Sequence, residues 1–407
     1  MKVAWVSTWN KTCGIADYSK IILPAVRAAA KTALPAGYAI ELHPIDELRR
    51  RGQVAAWVES LARLSPDVVI FQHEYGIWGG KRPPRYLFPR VVKAVRARLP
   101  RAKLIATAHN VLARDYVFPT RGRGLQAPLR VLANHLLMPR MRRAWSEETW
   151  GVLDEVIVHS ELQVSDVRAS GCPKVTVIPH FVPALAPAGE GLRNTKLSPE
   201  TEWKIRNAAK HPVITPHRLA PGEPARKTVM VFGFFSPEKG QDLAVRALEH
   251  LERDVHLVLA GGARRTADYH YMESCLGTAR ALELGDRVSV SGFVQKDFID
   301  DYYARADLVL APFLETTGSG SLAQALGRGA PILASDLPLN KEIERRQPGC
   351  LAFFHTGDPE DCARQIRRLL TSEKDRENLS RAALEYAAHY SPEKIGAEYL
   401  ARMLANI

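Results

Sequence analysis

Twelve apolar runs of strand length, separated by longer stretches of helical period, constrain what this chain can fold into more than any other feature. A strand buried on both faces reads as an unbroken apolar run, and a parallel sheet covered by helices on each side buries strands in this way. In the first half the expected strands are Val3–Ser7, Ala39–His43, Val68–His73, Leu104–His109, Val156–Ser160 and Val175–Pro179, with helices such as Tyr18–Ala30 and Val54–Leu64 between them. Each helix then carries the chain from one parallel strand to the next. From Pro183 to Lys227 the pattern gives way to proline, glycine and charge, which reads as an interdomain linker with a short helix inside. The alternation restarts at Val229–Gly233 and continues through Val255–Ala260, Val288–Gly292, Leu308–Pro312, Ile332–Ser335 and Leu351–Phe354. The expectation is an α/β chain of two Rossmann-like, doubly wound domains at residues 1–185 and 228–390, joined by a linker over 186–227. A terminal helix over 391–407, capped by Ser391 with Pro392 in its first turn, is expected to cross back to the first domain.

Length agrees, since 407 residues exceed what one core normally supports. Five cysteines (Cys13, Cys172, Cys275, Cys350 and Cys362) lie scattered without a Cys-x-x-Cys pair. That argues against a disulfide framework and a zinc site, and for a reducing, cytoplasmic compartment. The amino terminus enters a strand directly, without the basic start and apolar core of a signal peptide, and no apolar run approaches the roughly 20 residues of a membrane span. The formal net charge of +12 is uneven: residues 1–200 hold 29 basic and 16 acidic side chains, leaving 27 and 28 for the rest. Such a field serves nucleic acid, an anionic membrane surface or a phosphorylated acceptor, or simply keeps the chain soluble.

In open parallel sheets the ligand sits beyond the carboxyl ends of the strands, where helix amino termini and loops meet. Residues with chemistry cluster there: Gly14 after the first strand, His73 and Glu74 after the third, His109 after the fourth, and Ser319-Gly320-Ser321 after Leu308–Pro312. Two facing domains would set these groups across one cleft. In Ser236-Pro237-Glu238-Lys239-Gly240 a lysine stands at the mouth of a helix, which suits a diphosphate; the same residues also fit a solvated loop lysine beside a turn glycine. The small residues from Thr316 to Ala323 would let a phosphate approach the next helix closely. Gly318-x-Gly320-x-x-Ala323, with Asp336 further on, also meets the dinucleotide fingerprint, so an NAD-dependent oxidoreductase competes. Against it, the motif follows several complete strand–helix units instead of opening a domain.

The ordered set Gly233 with Pro237-Glu238-Lys239-Gly240, Leu257 to Gly262, Val288 to Val294, Tyr303 to Pro312, Gln324 to Pro331 and Glu342-Ile343 resembles the carboxyl domain of glycosyltransferase family 4, whose members share the two-Rossmann GT-B architecture. The first half resembles the family more loosely, through Cys13 to Tyr18, Thr107-Ala108-His109 and Val175 to His180. The resemblance implies a retaining, metal-independent transfer of a hexose-type sugar from a UDP- or GDP-sugar to an acceptor hydroxyl, in glycan or glycolipid synthesis. No cofactor is implied, because the nucleotide sugar is itself a substrate, and no nucleic acid is expected as a partner. Lys239 would neutralise the leaving diphosphate, and amides at Ser319, Gly320 and Ser321 would cradle it. Gln324 would sit at the ribose, Gly292-Phe293-Val294 would border the base, and Gly14 and His109 would line the sugar and acceptor side. Transfer would depend on domain closure.

Three departures from the family pattern stand out. Its usual arginine after Gly233 is Phe234 here, with Arg264 or Arg265 as substitutes; its paired glutamates fall on Thr316 and Gln324, with Glu315 one residue out of register; its asparagine-glycine after the last strand of the first domain is His180-Phe181. A non-catalytic nucleotide-sugar-binding partner and a nucleotide-sugar epimerase therefore stay open. His73 and Glu74, with Tyr75 and Trp78, would bind or activate an acceptor hydroxyl, or His73 would merely end a strand. The histidines at 109, 159 and 180 show no metal-ligand spacing. Residues 120–143 mix arginines with leucines at near-helical spacing, which fits an anionic membrane carrying a lipid-linked acceptor, or a core-facing helix with solvated arginines. The corresponding location is the cytoplasm, peripheral to the inner face of a membrane.

Overall fold

The computed structural model describes residues 1–11, 13–34, 37–48, 50–80, 85–112, 117, 131–132, 134, 136–183, 227–263, 266–295, 298–316, 318 and 320–405. The expected linker, 186–227, lies outside the described residues except for Lys227, as do Arg264, Arg265 and Ser319. The chain divides into two compact units, Met1–His180 with Pro392–Ile407, and Phe181–Ser391.

The first unit holds a six-stranded sheet of β1 (Lys2–Ser7), β2 (Ala39–Pro44), β3 (Val68–His73), β4 (Lys103–Ala108), β5 (Glu155–Val158) and β6 (Val175–Val177). Their spatial order is β2-β1-β3-β4-β5-β6, and every pair is parallel. All six residues of β3 are buried, as an apolar run covered on both faces requires. Helix α1 (Gly14–Ala33) follows β1, and α2 (Val54–Ala62) leads to β3.

The second unit repeats the plan with β7 (Lys227–Phe232), β8 (Val255–Ala260), β9 (Val288–Val290), β10 (Leu308–Ala311), β11 (Ile332–Ser335) and β12 (Ala352–Phe354). Their order is β12-β11-β10-β7-β8-β9, again all parallel. Both units are Rossmann-like and doubly wound, as the alternation of apolar runs requires. The order reverses between β1 and β3 in one sheet and between β7 and β10 in the other. At such a reversal the helices on either side leave in opposite directions and open a crevice at the strand ends. In the second unit α3 (Gln241–Glu249) follows β7 and α4 (Gly320–Gly327) follows β10.

The last helix, α5 (Pro392–Leu404), belongs to the first unit and packs along α1. Ile395, Gly396, Tyr399, Leu400 and Met403 form its buried stripe, and a Cβ on Gly396 would fall 2.7 Å from the Ala25 carbonyl carbon. Only glycine permits this approach, which brings the two helix backbones together. Lys103, at the start of β4, donates to the carbonyls of Arg402 and Ala405, both at 2.6 Å, satisfying acceptors that a helix end leaves unpaired. Fully buried Glu155 accepts from Arg402 at 2.8 Å and from Thr176 at 2.7 Å, with Lys103 and Lys174 each at 3.6 Å.

Candidate active site

In the second unit two loops leave the sheet beside each other at the β7/β10 reversal. After β7 the chain turns through Gly233 and a single 3-10 turn, Pro237–Lys239, into Gly240. Gly240 has φ +69, and a Cβ there would meet the Pro312 carbonyl oxygen at 1.9 Å, so only glycine allows the β7 loop to lie against the end of β10. The Leu314 amide donates to the Glu238 carbonyl at 2.9 Å and fastens the two loops. Lys239 is thereby half-buried, its ammonium 4.2 Å from the centre of the Phe313 ring. From the other side the amino terminus of α4 arrives: Gly320 is exposed, and Ser321 Oγ lies 3.6 Å from where a Cβ on Gly233 would stand. Lys239 and the Gly320-Ser321 helix mouth thus share the carboxyl ends of neighbouring strands.

The other expected donor-side residues fall differently. Gln324 is half-buried, and its Oε1 accepts from Arg328, whose guanidinium also bonds Asp300 at 2.7 Å and lies 4.8 Å from the centre of the Tyr303 ring. Sequence reasoning missed this clamp because Arg328 is held over Gln324 by Tyr303 and Asp300, which only the fold brings near. Thr316 closes its own turn, its hydroxyl 3.2 Å from both the amide and the carbonyl of Gly318. Glu315 is exposed. Phe234 turns toward Phe293, the rings stacked at 6.1 Å with a 25° tilt, and Phe293 is 69% exposed next to Gly292 and half-buried Val294. The position of the family's arginine is therefore occupied by an aromatic pair at the ends of β7 and β9.

In the first unit Gly14 opens α1, and a Cβ on it would have nothing within 4 Å, so the space at this helix mouth is open. Across the reversal, His73 does not reach that space. Its ring is fully buried among Tyr75, Tyr86, Phe88 and Trp150, with Nε2 2.7 Å from the Tyr86 hydroxyl. Burial pushes its pKa down to about 3. The acceptor-side reading of His73 is corrected: the last residue of β3 points into the layer beneath the sheet end. Tyr75 and Trp78 are core residues too, and Glu74 accepts from the Gly76 amide at 2.6 Å, capping its own loop.

His109 follows β4 and meets two further histidines. The rings of His109, His159 and His180 stand 4.6, 5.6 and 5.0 Å from the ring of buried Tyr18. His109 Nε2 is 2.9 Å from the Gln72 side-chain amide and its Nδ1 is 3.2 Å from His159 Nε2; His159 Nδ1 is 2.9 Å from the Ile178 carbonyl. Both ring nitrogens of His109 thus have partners within the protein, at the place where the resemblance puts a residue lining the sugar and acceptor side. Burial, then the neighbouring His159, His180 and His73, lowers its pKa well below 6.5. Among the described residues no group of histidine, cysteine or carboxylate side chains is arranged to hold a metal ion.

Residues 226–372 match the family model described as glycosyl transferases group 1. That stretch lies within the second unit and takes in the β7 and β10 loops of the site. Curated relatives are similar over part of the chain: sulfoquinovosyl transferase SQD2 of Arabidopsis thaliana is 27% identical over 175 residues, 42% of this chain and 32% of the relative. D-inositol 3-phosphate glycosyltransferase of Xylanimonas cellulosilytica is 35% identical over 99 residues, 24% of this chain and 23% of the relative. The chain thus spans a third or less of the length of these two relatives. Among solved structures, Anabaena HepE in complex with UDP aligns over 100% of both chains at 17% identity with a TM-score of 0.66. At that identity the likeness speaks for the fold alone, a GT-B architecture over the whole chain.

Proposed function

We propose that this chain is a glycosyltransferase that moves a hexose-type sugar from a nucleotide diphosphate sugar to an acceptor hydroxyl, with retention and without metal or cofactor. The observation that carries the reading is the pairing of Lys239 with the amino terminus of α4 at the β7/β10 reversal. A cation and outward amides at one sheet end suit a diphosphate leaving group, whose charge must be stabilised as the sugar departs. The phenyl pair Phe234–Phe293 offers an exposed face to the base, in place of the arginine. UDP is the first ligand to test, since HepE binds it in the crystal. The acceptor is bound by the basic first unit, near Gly14 and His109. Calorimetric titration with UDP and GDP should show saturable binding of at least one, and NMR of the product should show the donor's anomeric configuration. Failure of both nucleotides to bind removes the reading.

The clamp on Gln324 and the turn closed by Thr316 favour a second reading, a binding protein that holds nucleotide sugar without transferring it. Donor binding without transfer or hydrolysis across a panel of acceptors would select it. The partner surface also has a specific basis: Val131, Leu132, Leu136 and Leu137 are 46–68% exposed, ahead of exposed Arg140. Apolar side chains beside arginine suit the surface of an anionic bilayer carrying a lipid-linked acceptor. The rest of the expected segment, 120–130, 133 and 135, lies outside the described residues.

A further inference from the structure

We propose that Tyr399, Thr107 and Gln72 are positioning residues for His109, holding its ring as the Nδ1–H tautomer through a hydrogen-bond chain that starts on the last helix. Three links join the Ile178 carbonyl to the Gln72 amide: to His159 Nδ1 at 2.9 Å, from His159 Nε2 to His109 Nδ1 at 3.2 Å, and from His109 Nε2 to Gln72 Oε1 at 2.9 Å. Each link needs one proton, and two neutral imidazoles supply one each. With an oxygen at both ends, one link is short of a proton. Either the pair of rings takes up a third proton, or the amide turns its NH₂ toward His109.

The surroundings favour the turn. His73, His159 and His180 crowd His109, and its ring packs against buried Tyr18, all of which oppose an added charge. The phenols of Tyr18 and Tyr399, the other titratable groups at the cluster, are held neutral by burial. Amide oxygen and nitrogen have the same shape, so the turn leaves the packing unchanged and is decided by hydrogen bonding. It brings the Gln72 carbonyl oxygen to Thr107 Oγ1, 3.4 Å from that end of the amide. Thr107 then donates to Gln72 and accepts from the Tyr399 hydroxyl at 3.1 Å, while the Tyr18 and Tyr399 hydroxyls lie 2.9 Å apart. Gln72, Thr107 and Tyr399 are each 0% exposed, so the side chains themselves must carry the chain of bonds. From the fixed end, Ile178 makes His159 an Nδ1–H donor, leaving His159 Nε2 to accept from His109 Nδ1–H. His109 Nε2 accepts from Gln72.

The tautomer stands apart from the proposed reaction; only its consequence for acceptor use rests on that reading. Nitrogen-15 NMR of the histidine rings in the full chain should show His109 Nδ1 protonated and Nε2 bare. Gln72→Glu offers only acceptors, so it should draw in the third proton and leave both His109 nitrogens protonated at pH 7. Tyr399→Phe keeps the ring in the core but removes the donor to Thr107, and should turn one tautomer into a mixture. With a working acceptor, it should lower kcat/KM about tenfold, the worth of one hydrogen bond, with donor KM unchanged. A wild-type His109 protonated on Nε2, or on both nitrogens, overturns the proposal, as does a Tyr399→Phe spectrum identical to wild type. Tautomers as stated but no transfer to any acceptor would uphold the positioning and count against the transferase reading.

Discussion

His73 shows what a single side chain can contribute to pH dependence. Its ring titrates at about 3 in the fold and near 6.5 in an unfolded chain. Between those values the unfolded chain binds a proton that the folded one refuses, so stability is complete above about pH 6.5 and falls with pH by about 1.4 kcal/mol per unit. Urea unfolding at pH 7.5 and 5.5 should reveal the loss, and His73→Gln should reduce it by about 1 kcal/mol. An unchanged slope in the variant would assign the pH dependence elsewhere. The sequence places His73 correctly at a strand end but cannot say into which layer its side chain points. Lys239 is different: proline before it and glycine after it fix a turn, and the turn fixes the lysine. The contacts of Gln324 are not legible in the sequence, because its partner, Arg328, is recruited by Tyr303 and Asp300, residues brought near only by the fold.

Among the elements, the strands were legible because burial on both faces leaves an unbroken apolar run, and the structure has a strand at each of the twelve expected places. Strand ends were less so: β5 and β6 stop at Val158 and Val177, short of the expected Ser160 and Pro179. Invisible in the sequence was the polar fastening of α5 by Glu155, Lys103 and Arg402, since side chains so far apart give no periodic signal. Replacing Glu155 by Gln strands three cations, two of them largely buried, and should cost about 3 kcal/mol. Hydrogen exchange in α5 should rise with the loss; unchanged protection would show that the helix is held by its apolar stripe alone. Gly240→Ala should destabilise the second unit by at least about 2 kcal/mol, because φ is positive and the Pro312 carbonyl occupies the Cβ position. A melting temperature equal to wild type would mean that the β7 loop is not pressed against β10.

For the whole molecule, the charge excess of the first 200 residues and the exposed leucines near Arg140 give one expectation. The chain should float with vesicles containing phosphatidylglycerol and not with neutral ones, and Leu132→Ser with Leu136→Ser should abolish the difference. Equal behaviour on both kinds of vesicle would leave the excess as a solubilising surface. Two Rossmann-like units were readable from the order of the apolar runs alone. The donor, the acceptor and the histidine cluster depend on contacts among residues distant in sequence. The central claim is that Lys239 meets the diphosphate of the donor. Calorimetric titration with UDP should show Lys239→Ala binding about 30- to 100-fold more weakly than wild type, as expected for a lost charge-assisted contact, with UMP affected little. Equal UDP affinity in the two proteins would contradict it.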